Sequence, residues 1–127
     1  MITAIQNKFA GHRIVIYPDA SGKSRSTSGK SDIDLLKRAR FTVRNLNKNP
    51  FVRDRVNKMN SAFLNGKGER LYLVNTNQCP VYTEGLEKQP YKNGEPDKEG
   101  GFDHITEAGG YFIHQHINKS KVAKIHS

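Results

Sequence analysis

Arg13-Ile14-Val15-Ile16-Tyr17-Pro18-Asp19-Ala20-Ser21-Gly22 is the stretch on which the fold reading turns. Ile14, Val15 and Ile16 are contiguous and β-branched, as in a buried strand over Arg13 to Pro18. The strand ends at an acid and a turn. Upstream, Ile2, Ile5 and Phe9 recur at near-helical spacing, and Gly11 closes a short helix over 2–10. Downstream, residues 20–31 carry Ser, Gly, Lys, Arg and Thr and nothing apolar after Ala20, which reads as a mobile cationic loop. Ser31 is then a good N-cap for a helix over 32–40. Asp32 and Asp34 fall in its first turn and Lys37, Arg38 and Arg40 near its end, both suiting the helix dipole.

Phe41 to Leu46 alternates as a second strand does. Pro50 suits the first turn of the next helix, where Val52, Val56, Met59 and Phe63 form one apolar stripe with Arg53, Arg55 and Lys58 off it. That helix is expected to end at Asn65-Gly66. Leu71 to Val74 reads as a third strand, Pro80 to Lys88 as a short helix, residues 89–101 as a loop, and Asp103 to Ile117 as a last helix followed by a basic tail. Strands alternating with helices predict an α/β fold with a partly parallel sheet.

The 127 residues suffice for one small domain. A hydrophobic content of 35% with mean hydropathy −0.74 predicts a thin core, or one completed by a partner. No apolar run approaches the ~20 residues of a membrane span, and nothing resembles a secretion signal. A single cysteine, Cys79, excludes an internal disulfide and a cysteine zinc cluster, and a reducing intracellular setting fits. The net charge of +9 is uneven: residues 1–60 hold 13 Lys/Arg against 4 Asp/Glu, while residues 61–127 hold 8 of each. An excess confined to one half reads either as a solvated surface or as a phosphate-backbone footprint. Arg13, Lys23, Arg25 and Lys30 around the Asp19 loop, with Arg53 and Arg55 on the following helix, are the candidate DNA contacts.

Two acidic segments carry the candidate chemistry. Asp19 stands where a strand's carboxyl end meets a loop, the edge at which open α/β sheets gather ligands. The plainer alternative is a turn aspartate after proline. In Phe102-Asp103-His104-Ile105-Thr106-Glu107-Ala108-Gly109-Gly110-Tyr111, His104 and Glu107 are i, i+3 on one helical face, and Asp103 and Glu107 are i, i+4 on a neighbouring line. Asp103 is otherwise an N-cap. Gly109-Gly110 costs helix propensity of ~1 kcal/mol per glycine, which predicts close packing beneath that face.

Other motifs weigh less. Ser24-Arg25-Ser26-Thr27-Ser28-Gly29-Lys30-Ser31 matches a phosphate-binding P-loop except at its first position, but it does not leave its strand directly. His114 and His116 are two apart and cannot share a helical face, and Cys79 has no histidine at a catalytic spacing.

Read in order, Tyr17-Pro18-Asp19-Ala20-Ser21-Gly22, Ser31-Asp32, Asp54-Arg55-Val56-Asn57 and Asp103 to Tyr111 resemble the C-terminal nuclease domain of tailed-bacteriophage terminase large subunits, over residues 12–117. The resemblance implies a partial ribonuclease H-like α/β fold, a small mixed or parallel sheet flanked by helices over residues 1–117 with a flexible tail over 118–127. It implies metal-dependent cleavage of double-stranded DNA during viral packaging, Mg²⁺ or Mn²⁺ as cofactor, other terminase or portal components as partners, and the cytoplasm of a bacterial host as the setting. Asp19 matches the family's second acidic position. The Asp-His-x-x-Glu segment matches the third, with Asp103, His104 and Glu107 as candidate ligands and either Asp103 or Glu107 as the principal one. The first catalytic aspartate and the ATPase motor lie further upstream in that family. The chain is therefore expected to be a fragment, weakly active or inactive alone, or else a non-catalytic DNA-binding module.

Overall fold

A computed structural model describes residues 1–23 and 31–117, with the backbone alone at Lys23. The chain divides into two compact units, Met1–Asn49 and Pro50–Ser127. The 24–31 segment read as a P-loop-like run (Ser31 apart) and the basic tail over 118–127 lie outside the described residues, as do Arg25 and Lys30.

The first unit is a βαβ arrangement. Helix α1 (Ile2–Lys8) buries no residue, and the chain leaves it through Gly11 at φ +80. Strand β1 (Val15–Ile16) pairs in parallel with β2 (Thr42–Val43), Val15 opposite Thr42 and Ile16 opposite Val43. Amides of Thr42 and Arg44 extend the ladder to the carbonyls of Ile14 and Ile16. Parallel strands need a crossover, and α2 (Asp32–Arg38) supplies it. Ser31 caps α2 as expected and does more: its Oγ accepts from the Asp34 amide while the Asp34 carboxylate accepts from the Ser31 amide. Ile33 and Leu36 form the buried face, joined by Ala20 and Phe41.

Helix α2 stops where Arg40 takes φ +68. The Arg40 amide reaches the Lys37 carbonyl and the Phe41 amide reaches the Leu36 carbonyl. That is the Schellman pattern, with buried Phe41 and Leu36 as its apolar contact and arginine where glycine is usual.

In the second unit, α3 (Val52–Phe63) begins after Phe51, so Pro50 precedes the cap and is not in the first turn. The buried face of α3 is Arg55, Val56, Met59 and Ala62. The predicted stripe is thus rotated: Val52 is exposed, Phe63 is half-buried, and Arg55 is inside. The helix ends at Phe63, two residues earlier than Asn65-Gly66.

Leu71 to Val74 is not a strand. The amides of Leu71 and Tyr72 both reach the Ala62 carbonyl, one of the carbonyls left open at the end of α3. A short apolar run alone does not make a ladder. Its inward residue Tyr72 packs edge-on against Phe63, ring centroids 5.3 Å apart. Helix α4 (Pro80–Lys88) has the predicted bounds, with proline at its first position.

The segment read as a loop over 89–101 contains a hairpin, β3 (Tyr91–Lys92) against β4 (Glu95–Pro96), antiparallel. Asn93 and Gly94 both have positive φ, +55 and +78, which a tight two-residue turn requires. Helix α5 (Asp103–Phe112) continues into a π-helical turn over Ile113–Ile117. Met59, Ala62 and Ile113 form the core, with Phe63, Tyr72, Leu86, Phe112 and Ile117 packed around it. No described helix is long and apolar enough to cross a membrane.

Candidate metal centre

In the first unit, Asp19 precedes a 3₁₀ turn over Ala20–Lys23. Its Oδ1 accepts from the Ser21 amide at 2.8 Å and from the Asn49 side-chain amide. The other end of Asn49, Oδ1, accepts from the Ala20 amide at 2.8 Å. The Asp19 carboxylate therefore organises its own turn, clamped by an asparagine thirty residues away. The sequence offered no local signal for Asn49. Arg13 is exposed.

In the second unit, the fold brings together three of the predicted ligands. Asp103, His104 and Glu107 each place one ligand atom so that all lie within 4.8 Å of one another. Asp103 is buried, Glu107 half-buried and His104 exposed, a gradient from the protein interior to solvent. Asp103 is not the N-cap. That position is Phe102, which makes no side-chain capping bond, so Asp103 sits inside the first turn, where its charge meets the positive end of the helix.

The start of α5 is fixed by a polar network that sequence reading missed. Thr106 Oγ1 lies 3.1 Å from both the Phe102 and Asp103 carbonyls and 3.3 Å from Gln89 Oε1. Buried Gln89 donates through Nε2 to the Pro90 carbonyl at 2.8 Å and the Asp97 carbonyl at 2.7 Å. One glutamine side chain thus joins the end of α4, the base of the hairpin and the helix carrying the acids.

The two glycines mark the close packing their sequence cost implied. A Cβ on Gly109 would collide with the Tyr82 hydroxyl, and one on Gly110 would lie 3.1 Å from Arg55 Nη1. Arg55 is accordingly buried, at 5% exposure, with its guanidinium carbon 5.5 Å from the centre of the Tyr111 ring. It is not part of the exposed basic surface expected of it. Arg53 is exposed, donating to the Asn93 carbonyl at 2.9 Å and standing 4.0 Å from Glu95.

Donors on a common divalent cation stand about 3–5 Å apart, given bonds of about 2.0–2.6 Å. The cluster meets that requirement, and its two carboxylates and one imidazole are donor types that divalent cations take. The family model for the terminase RNaseH-like domain matches residues 1–116. The chain belongs to this family. The mixed α/β architecture of helices and small sheets is consistent with a terminase RNaseH-like domain, and the Asp103–His104–Glu107 cluster lies within the matched span. No match was found among curated proteins or among solved structures.

Proposed function

We propose that this terminase RNaseH-like domain is a divalent-metal-dependent DNA endonuclease module of bacteriophage DNA packaging, acting in the bacterial cytoplasm. The observation that carries the reading is the convergence of Asp103, His104 and Glu107 on the first turns of α5. Asp103 and Glu107 supply anionic oxygens and His104 a nitrogen at the solvent side. A bound Mg²⁺ or Mn²⁺ supplies charge stabilisation and activates water for phosphodiester hydrolysis. The protein's part is to hold the ligands and to bring the phosphate backbone to them. The positive excess of residues 1–60, Arg13 and Lys23 included, supports the second task.

Among the described residues, the cluster offers two carboxylates and one imidazole, enough for one cation. Two-cation hydrolysis needs more anionic ligands, so the reading includes weak cleavage by this chain alone. Calorimetry with Mn²⁺ tests it. Millimolar or tighter binding that is weakened in Asp103→Asn and Glu107→Gln, together with slow Mn²⁺-dependent nicking of plasmid, is the expected result. The uneven charge favours one alternative, a non-catalytic DNA-binding module. Duplex affinity that falls steeply with salt, ignores the metal and accompanies no nicking would establish that alternative instead.

A further inference from the structure

The Glu107 carboxylate is held by another side chain. The Tyr111 hydroxyl, one helical turn on, donates to Glu107 Oε1. Tyr111 is itself only 7% exposed, and its ring faces the buried guanidinium of Arg55. Gly110 leaves the space for Arg55 to reach that position. We infer that Arg55 and Tyr111 are positioning residues that hold the Glu107 carboxylate in the rotamer that joins Asp103 and His104. The inference rests on the metal-centre reading above.

An exposed glutamate samples many rotamers, and recruiting it to a cation costs that freedom. A hydroxyl donor from an immobile ring removes the cost in advance, and such outer partners orient ligands and tune affinity in metal sites generally. The ring is immobile because it is buried, and because the cation against its face ties α5 to α3. A buried guanidinium is costly to desolvate, and its attraction to the Tyr111 ring offsets part of that cost. The same cation draws electron density from the ring and strengthens the phenol as a donor. The route from α3 to the metal centre is thus Arg55, then Tyr111, then Glu107.

The test is Mn²⁺ calorimetry on the full chain with Tyr111→Phe, Glu107→Gln, the double variant and Arg55→Lys, each checked for folding by circular dichroism. Tyr111→Phe keeps the ring and removes only the hydroxyl. It is expected to weaken Mn²⁺ binding about 10-fold, in the range of other outer-partner substitutions. Because Tyr111 acts through Glu107, the double variant should bind no worse than Glu107→Gln alone. Arg55→Lys, which keeps the charge but loses the planar group, should give a smaller loss than Tyr111→Phe. Wild-type affinity in both Tyr111→Phe and Arg55→Lys overturns the positioning role and leaves the metal centre standing. A double variant weaker than Glu107→Gln by the full Tyr111→Phe factor also overturns it, since the hydroxyl would then act elsewhere. A wild-type chain that binds no Mn²⁺ overturns the metal centre and the positioning role together.

Discussion

Arg55 occupies the space in which a side chain at Gly110 would stand. A Cβ built on Gly110 would approach Nη1 of Arg55 to 3.1 Å and its Cγ and Cδ to 3.2 Å each. The arginine stem is therefore part of the packing between α3 and α5, with its charged end against Tyr111. Gly110→Ala gains about 1 kcal/mol of helix propensity and loses more by displacing Arg55, since overpacking of a filled site costs about 1–3 kcal/mol. The expected outcome is a net loss of stability in urea denaturation. In an Arg55→Ala background the same substitution should become neutral or stabilising, and equal losses in both backgrounds would show that Arg55 is not the obstacle.

Gly109 holds a different neighbour. The Tyr82 hydroxyl lies in the space above it and 3.3 Å from the Tyr72 hydroxyl. Burial, reinforced by the hydrogen bond to Tyr72 and by the nearby Tyr72 and Cys79 groups, pushes the Tyr82 phenol well above its ordinary value of 10.0. The unfolded chain then loses this proton more readily than the folded one. The stabilising contribution is complete below about pH 10 and is lost as pH rises from there toward the folded-state value. Urea midpoints should fall on the alkaline side, and Tyr82→Phe should flatten that fall. An unchanged alkaline slope in Tyr82→Phe would assign it to other groups.

The sequence made legible what is local. Ser31 with Asp34, Pro80 and the acids of Asp103 to Glu107 each act within one or two turns of their own helix, so spacing suffices to read them. Arg55 was misplaced because apolar periodicity ranks arginine as polar, whereas its stem packs wherever a facing glycine leaves room. Leu71 to Val74 reads as a strand because it is a short apolar run, and such a run does not reveal whether a partner strand is present. The hairpin at Asn93-Gly94 was readable from its turn residues but was hidden by short strands and a Pro- and Gly-rich setting. Asn49 and Gln89 act on residues distant in the chain or through backbone carbonyls, and neither bond has a periodic signature. Tyr111, four residues after Glu107, was within reach of helical spacing.

Arg40 carries a conformation that its side chain disfavours. At φ +68 it occupies the left-handed position of a Schellman motif whose two hydrogen bonds are both made. Glycine adopts this conformation without the Cβ penalty, so Arg40→Gly should stabilise the first unit by about 1 kcal/mol, despite the greater freedom glycine has when unfolded. Thermal or urea unfolding measures the change. Arg40→Ala, which keeps the Cβ, should give no such gain. A gain of the same size from alanine would attribute the effect to removal of the arginine charge.

His114 gives the acid side of the stability profile. Its Nδ1 is buried without a hydrogen-bond partner among the described residues. Burial lowers its affinity for a proton below the ordinary value of 6.5. The positive charge of Lys58 lowers it further, Asp54 opposes the shift, and Arg55 adds to it. The unfolded histidine accepts a proton near 6.5 and the folded one resists it, so the folded chain binds fewer protons in this range. Stability is then complete above pH 6.5 and declines as pH falls through the folded-state value. Urea denaturation between neutral and mildly acidic pH should show this decline, and His114→Gln should reduce its slope. Titration of His114 by NMR supplies the independent check: a midpoint at or above 6.5 in the folded protein would contradict the burial argument, whatever the slope.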